Sequence, residues 1–179
     1  MQTSDKNFPE LKTSRLKLRA LKQSDKNEVF EIRSDKNIAK YLDRPLYKTI
    51  QEAEEFIEKI SSANSSDWYY WTITLSDSDE LIGTICLWNF PDDKKIADTG
   101  YEMRTKFQGN GYAKEALQKI IEFGFENLAL EKITAEVAPE NKASIKMLEK
   151  FNFCLNTSVP QNSKTIIYEL SRNINQKDL

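Results

Sequence analysis

The segment Gln108-Gly109-Asn110-Gly111-Tyr112-Ala113-Lys114 sets two glycines directly before a stretch with helical periodicity. The first N–H groups of a helix lack intrahelical partners, and the macrodipole adds partial positive charge at that end. Glycines that let the backbone approach a ligand closely therefore turn it into an anion site. The chemistry this invites is binding of a phosphate-bearing ligand. Lys114, in the first turn, adds a charge-assisted contact of the kind worth about 1.5–3 kcal/mol. Two other phosphate loops are excluded: the segment lacks the Gly-Lys-Ser/Thr end of a P-loop and the third glycine of a dinucleotide fingerprint.

The chain has no histidine, which removes the Ser/His/Asp triad, the Cys/His pair and imidazole metal ligands together. Acid and base chemistry falls to carboxylates, Tyr, Lys, Cys, Ser or water. Cys86 and Cys154 are the only cysteines, too few for a disulfide framework or a zinc site, and both are expected to be buried, reduced thiols. No metal is expected. A net charge of minus two over 179 residues is not the basic footprint of a nucleic-acid binder. Met1 to Glu10 is polar, and no run approaches the roughly 20 apolar residues that span a bilayer. The expectation is a cytoplasmic protein with no membrane or nucleic-acid partner.

Length and composition, 39% hydrophobic with 30% charged, predict one domain over residues 1–179, with flexible ends at 1–10 and 172–179. Leu16 and Leu18 alternate with Arg15, Lys17 and Arg19, the period-two pattern of a strand. Ser24-Asp25 supplies an N-cap for a helical stretch through Val29, Phe30 and Ile32, interrupted before Pro45. Thr49 and Glu52 form a capping box for the stripe Ala53, Phe56, Ile57 and Ile60. Trp68 to Leu75 and Leu81 to Phe90 read as a hairpin, and Ala97 to Arg104 as a further strand. Tyr112 to Leu130 is a long amphipathic helix, Lys132 to Val137 a strand and Asn141 to Phe151 a helix. Strands near Phe153 to Val159 and Thr165 to Leu170 end the chain. This order predicts a mixed α/β sheet, mostly antiparallel, with helices on both faces; the Ala97 to Val137 unit is a parallel crossover.

The glycine segment resembles the pyrophosphate-binding signature of the GNAT superfamily of N-acetyltransferases: Gln or Arg, two residues, Gly, one residue, then Gly or Ala. Gln108, Gly111 and Ala113 match it. Downstream, Asn141-Lys142-Ala143-Ser144 followed by Lys150-Phe151-Asn152-Phe153 is similar to the family's Asn-x-x-Ser helix and Lys-x-Gly-Phe turn. Asn152 replaces the usual glycine, and Asn tolerates a left-handed backbone. The opening Arg15-Leu16-Lys17-Leu18-Arg19, with Asp25 after it, resembles the subgroup that acetylates ribosomal-protein N-termini.

That resemblance implies a sheet of about seven strands with a splayed parallel pair that receives acetyl-CoA, and an amine acceptor, either a peptide N-terminus or a small amine such as a polyamine or aminoglycoside. A non-catalytic CoA-binding module is the remaining alternative, and the protein is expected to be a monomer or homodimer. The implied CoA contacts are Met103, Arg104, Gln108, Gly109, Asn110, Gly111, Tyr112, Ala113, Lys114, Asn141 and Ser144. Ser144 is the implied acid, because Leu148 stands where the family commonly has Tyr, and Glu102 is the carboxylate placed to act as base. Each has a plainer reading: a tight turn for the glycines, a helix-surface hydroxyl for Ser144, an ion-pair partner for Glu102 and an N-cap for Asn141. The aromatics Trp68, Tyr69, Tyr70, Trp71 and Trp88 either line the acceptor cleft or fill the core.

Overall fold

The computed structural model describes residues 8–62, 68–158 and 164–172. The expected flexible ends, and the end of the expected strand at Val159, fall largely outside these residues. The elements run β1 (Leu11–Lys12), β2 (Leu16–Ala20), α1 (Lys26–Ser34), α2 (Lys36–Ala39), α3 (Ile50–Ser62), β3 (Trp68–Leu75), β4 (Leu81–Trp88) and β5 (Ile96–Met103). They continue with α4 (Tyr112–Glu126), β6 (Lys132–Val137), α5 (Lys142–Lys150), β7 (Cys154–Leu155) and β8 (Ile166–Ser171). The strands form one sheet in the order β1-β2-β3-β4-β5-β6-β8-β7. It has eight strands rather than about seven, and two of them, β1 and β7, are two-residue pieces at its edges.

Every neighbouring pair is antiparallel except β5 with β6. That parallel pairing is confined to Ile96 with Lys132, Ala97 with Ile133 and Asp98 with Thr134. The Thr134 hydroxyl closes the last rung by donating to the Ala97 carbonyl and the Asp98 carboxylate. Beyond it β5 runs on to Met103 and β6 to Val137 without pairing to each other, so the sheet opens into a V.

Each sheet face carries its own apolar core. On one, Leu16, Leu18, Trp71, Ile73, Ile85 and Leu87 pack with Ala116, Leu117 and Ile120 of α4 and Leu148 of α5. On the other, Leu21, Leu81, Val29 and Ile32 of α1, and Ala53 and Ile57 of α3, cluster together. Fully burying each large aliphatic side chain contributes about 1.5–3 kcal/mol, which seats the helices regardless of their intrinsic propensity. The aromatic run divides by strand alternation: Trp71 is in the core, while Tyr70 and Trp88 line a cavity.

Three local expectations change. Asp25 stands at the α1 N-cap position but makes no cap bond to that helix. Its carboxylate accepts the Lys22 N–H and a two-pronged bond from Arg19. Arg19 is therefore buried, although alternation with Leu18 would suggest solvent. Cys154 is exposed rather than buried, because β7 is a short edge strand, and Cys86 is partly covered; both thiols are free.

Candidate active site

The V between β5 and β6 opens into a cavity of about 440 Å³. Its phosphate-facing wall is the turn into α4. Gly109 and Gly111 hold φ values of +78° and +77°, the left-handed region that L side chains rarely adopt. Open space lies before the missing Cβ of Gly109, and only Arg15 approaches that of Gly111. Among the described residues, the backbone N–H groups from Gly109 to Lys114 have no partner within the protein. They are the orphan donors of a helix start, presented toward a ligand. Lys114 is exposed at the rim. A negatively charged pyrophosphate fits this cradle in charge and in donor count.

Side chains around the turn fix its shape. Gln108 donates to the Met103 carbonyl, tying the turn to the end of β5. Asn110 folds back onto the Phe107 and Gln108 carbonyls. Arg15 is the residue that sequence reasoning placed only in a strand. Its Nη1 donates to the Asn110 carbonyl at 3.0 Å, its Nε to Glu115 at 2.7 Å, and its guanidinium carbon lies 4.8 Å from the Tyr112 ring centre. Glu115 also accepts from Thr13, Ser14 and the Arg15 N–H, so the β1–β2 turn is buckled to the cradle.

The expected contacts are then brought together with two exceptions. Met103, Gln108, Gly109, Gly111, Tyr112, Ala113, Lys114, Asn141, Ser144 and Glu102 line the cavity. The Asn110 side chain does not, because its amide is spent on the turn. Arg104 does not either. The alternation that turns Met103 toward the cavity sends Arg104 to the opposite face, where it is buried against Glu31, Glu80 and the Leu81 carbonyl. Its side chain is a structural ion-pair partner and does not reach the cavity.

At the apex of the V, Ser144 Oγ and Tyr101 Oη are 2.7 Å apart. Asn141 caps α5 by accepting the Ser144 N–H at 3.2 Å, which holds Ser144 in the first turn while Asn152, at φ +64°, makes the left-handed exit. Burial pushes the Tyr101 phenol up to about 12, with the Ser144 bond acting the other way. Tyr101 is thus a protonated hydroxyl throughout the working pH range. The motifs did not mark it, because its role depends on α5 docking across the sheet opening.

A second cavity, of about 450 Å³, lies on the α1 side of the sheet and shares Leu42, Tyr101 and Glu102 with the first. Glu102 is 2.6 Å from Arg44 Nη2 and 3.5 Å from Arg33 Nε. Here it is an ion-pair partner of two arginines. Thr84, Cys86 and Gly100 contribute to the floor, and burial pushes the Cys86 thiol up to about 12, so the thiol is a neutral wall and not a nucleophile.

A sheet split at one parallel pair, with an anion cradle on one side of the opening and a second cavity meeting it at the apex, defines an acyl-CoA-dependent transferase. The family model described as "Acetyltransferase (GNAT) domain" matches residues 15–153, and the chain belongs to that family. Among similar proteins, the N-acetyltransferase p20 of Bacillus licheniformis, itself uncharacterised, is 34% identical over 145 residues, covering 80% of this chain and 81% of that one. Spermidine N(1)-acetyltransferase of Vibrio cholerae is 26% identical, covering 78% and 79%. The structure of RimL, a ribosomal L7/L12 alpha-N-protein acetyltransferase in complex with coenzyme A, superposes with a TM-score of 0.75 at 19% identity, covering 89% and 95%. The protein is an acetyl-CoA-dependent N-acetyltransferase acting on an amine. Among the described residues no helix is long and apolar enough to cross a membrane.

Proposed function

We propose that the acceptor is an α-amine at the N-terminus of a peptide, such as that of a ribosomal protein. The observation that carries this reading is the commitment of Glu102 to Arg44 and Arg33 where the two cavities meet. A carboxylate so engaged serves as an anchor for the arginines, and the expected base role is reassigned to solvent. The acceptor must then arrive neutral. An α-amine near pKa 7.7–8.0 is about one-tenth neutral at pH 7, whereas a lysine-like amine near 10.4 is neutral in only about one molecule in two thousand. A polyamine would also meet two arginines in a cavity where it needs carboxylates. The alpha-N-protein acetyltransferase RimL shares the fold, whereas the spermidine enzyme is a relative that favours the polyamine alternative.

Bound acetyl-CoA supplies an activated thioester carbonyl. The α4 cradle with Lys114 holds its phosphates, and the unpaired edge of β5 near Met103 holds its arm. The amine nitrogen forms the new C–N bond as the C–S bond breaks. The Tyr101–Ser144 pair hands a proton to the departing sulfur, the amine's surplus proton leaves to water, and water returns a proton to the pair. Placing the reacting groups together is itself a large part of the acceleration, and a positioned acid contributes typically 10²–10⁴-fold. Following thiol release from acetyl-CoA with N-terminally free peptides, spermidine and an aminoglycoside tests the reading. Release with peptides supports it, and release with spermidine alone refutes it.

A further inference from the structure

Arg33 lines the second cavity and holds Glu102 only at long range. Its side chain is only 16% exposed, so its guanidinium is largely stripped of water, a costly state unless its donors are met. They are not well met. Nη2 reaches the Tyr70 hydroxyl at 3.5 Å and Nε reaches Glu102 at 3.5 Å, both at or beyond the limit of a useful hydrogen bond. Among the described residues Nη1 has no acceptor. One flat face stacks on Phe56, with the guanidinium carbon 4.3 Å from the ring centre, which fixes the plane and leaves its edge for a ligand.

Arg44 differs. Its donors go to Glu102 and to the Arg33 and Ile32 carbonyls, so the short bonds to Glu102, the one interior carboxylate among the described lining residues, are made by Arg44, and Arg33 keeps only the 3.5 Å ion pair. The remaining acidic lining residue, Asp43, is exposed at the rim. Two arginines against one interior carboxylate leave a net positive charge, and Arg33 is the one left under-bonded. Its planar fork matches a carboxylate in a bidentate way.

We propose that Arg33 is a specificity-determining residue that binds a carboxylate of the acceptor, so that the preferred substrate is an α-amine with a carboxylate close by. This rests on the α-amine reading above and narrows it. Two sources share the chemistry: a peptide whose first or second residue is Asp or Glu, and a free amino acid. A volume of about 450 Å³, near the small end of ligand pockets, suits either the first residues of a peptide or a whole amino acid.

The test measures kcat/KM by thiol release for four peptides beginning with Ser and differing only in Glu, Gln, Ala or Lys at the second position, alongside free Glu, Ser and spermidine. The Glu peptide or a free amino acid is expected to exceed the Gln peptide by about tenfold or more, the size set by one charge-assisted hydrogen bond, with the Lys peptide and spermidine lowest. The difference should lie in KM. Arg33→Met should bring the Glu-to-Gln ratio close to one, and Arg33→Lys should restore part of it. Because the wild-type ratio is itself decisive, a variant that fails to fold leaves the test intact. Equal rates for the Glu, Gln and Ala peptides, with no free amino acid faster than the Gln peptide, would overturn the Arg33 assignment while leaving α-amine transfer standing. Transfer to spermidine alone, or to none of these amines, would overturn both.

Discussion

Ser144 on α5 and Tyr101 on β5 share a hydrogen bond of 2.7 Å across the mouth of the split sheet, joining two elements that pair with no common strand. In the proposed mechanism these two hydroxyls protonate the departing sulfur. Tyr101→Phe keeps the ring and removes the proton, and is expected to lower kcat about 100-fold, at the low end for general-acid loss. Ser144→Ala should give a comparable loss, and the double variant little more than either alone, because the pair acts as one unit. Steady-state kinetics on the three variants checks this, and full additivity of the two losses would contradict a shared role.

The pH profile follows from the same pair. Burial raises the Tyr101 pKa to about 12, so the protonated form that can donate is retained as the pH rises, and Tyr101 produces no fall in rate below about pH 11. The only inflection expected in kcat/KM is a rise as the acceptor amine loses its proton, near 7.7–8.0 for an α-amine and near 10.4 for a lysine-like one. A rate–pH curve from pH 6 to 10 with a peptide acceptor measures it. A fall between pH 8 and 10 would remove Tyr101 as the acid.

Gly111 is held at φ +77°, a conformation β-branched residues strongly resist. Gly111→Val should raise the dissociation constant for CoA at least tenfold, measured by calorimetry. Arg15→Ala removes the buckle to the Asn110 carbonyl and to Glu115, and should weaken CoA several-fold without touching the acceptor cavity. Unaltered CoA binding by Gly111→Val would dismiss the cradle.

The Arg19–Asp25 pair is a stability element away from the chemistry. Their side chains are 3% and 5% exposed, and removing Asp25 leaves the buried Arg19 with the exposed Asp79 carboxylate and the Asp79 and Ala20 carbonyls as its acceptors. Asp25→Ala is expected to cost about 1.5–3 kcal/mol of unfolding free energy, the size of a lost charge-assisted bond with Asp79 still in place, read by denaturant titration, while kcat per folded molecule stays near wild type.

Features governed by neighbours along the chain were legible beforehand. The glycine turn into α4, the Asn141 cap and the Glu52 half of the expected capping box each depend on backbone geometry over a few residues, though the Thr49 hydroxyl donates to Glu52 instead of capping the helix. Asn152 could be read as a left-handed turn residue for the same reason. Legibility failed where alternation met an uneven environment. Arg19 was expected on a solvated strand face but meets Asp25, and Arg104 was placed beside the cradle but turns to Glu31 and Glu80.

By itself the sequence determined the glycine turn at the start of α4, the order of strands and helices and the absence of imidazole chemistry, because residue type and short spacing suffice for these. The tertiary structure alone decided that Tyr101 meets Ser144, that Glu102 is held by Arg44 and Arg33, and that Arg15 braces the cradle. Those partners lie far apart in the chain. Their meeting depends on strand register and on where the β5–β6 ladder stops at Asp98 and Thr134, which no local pattern encodes.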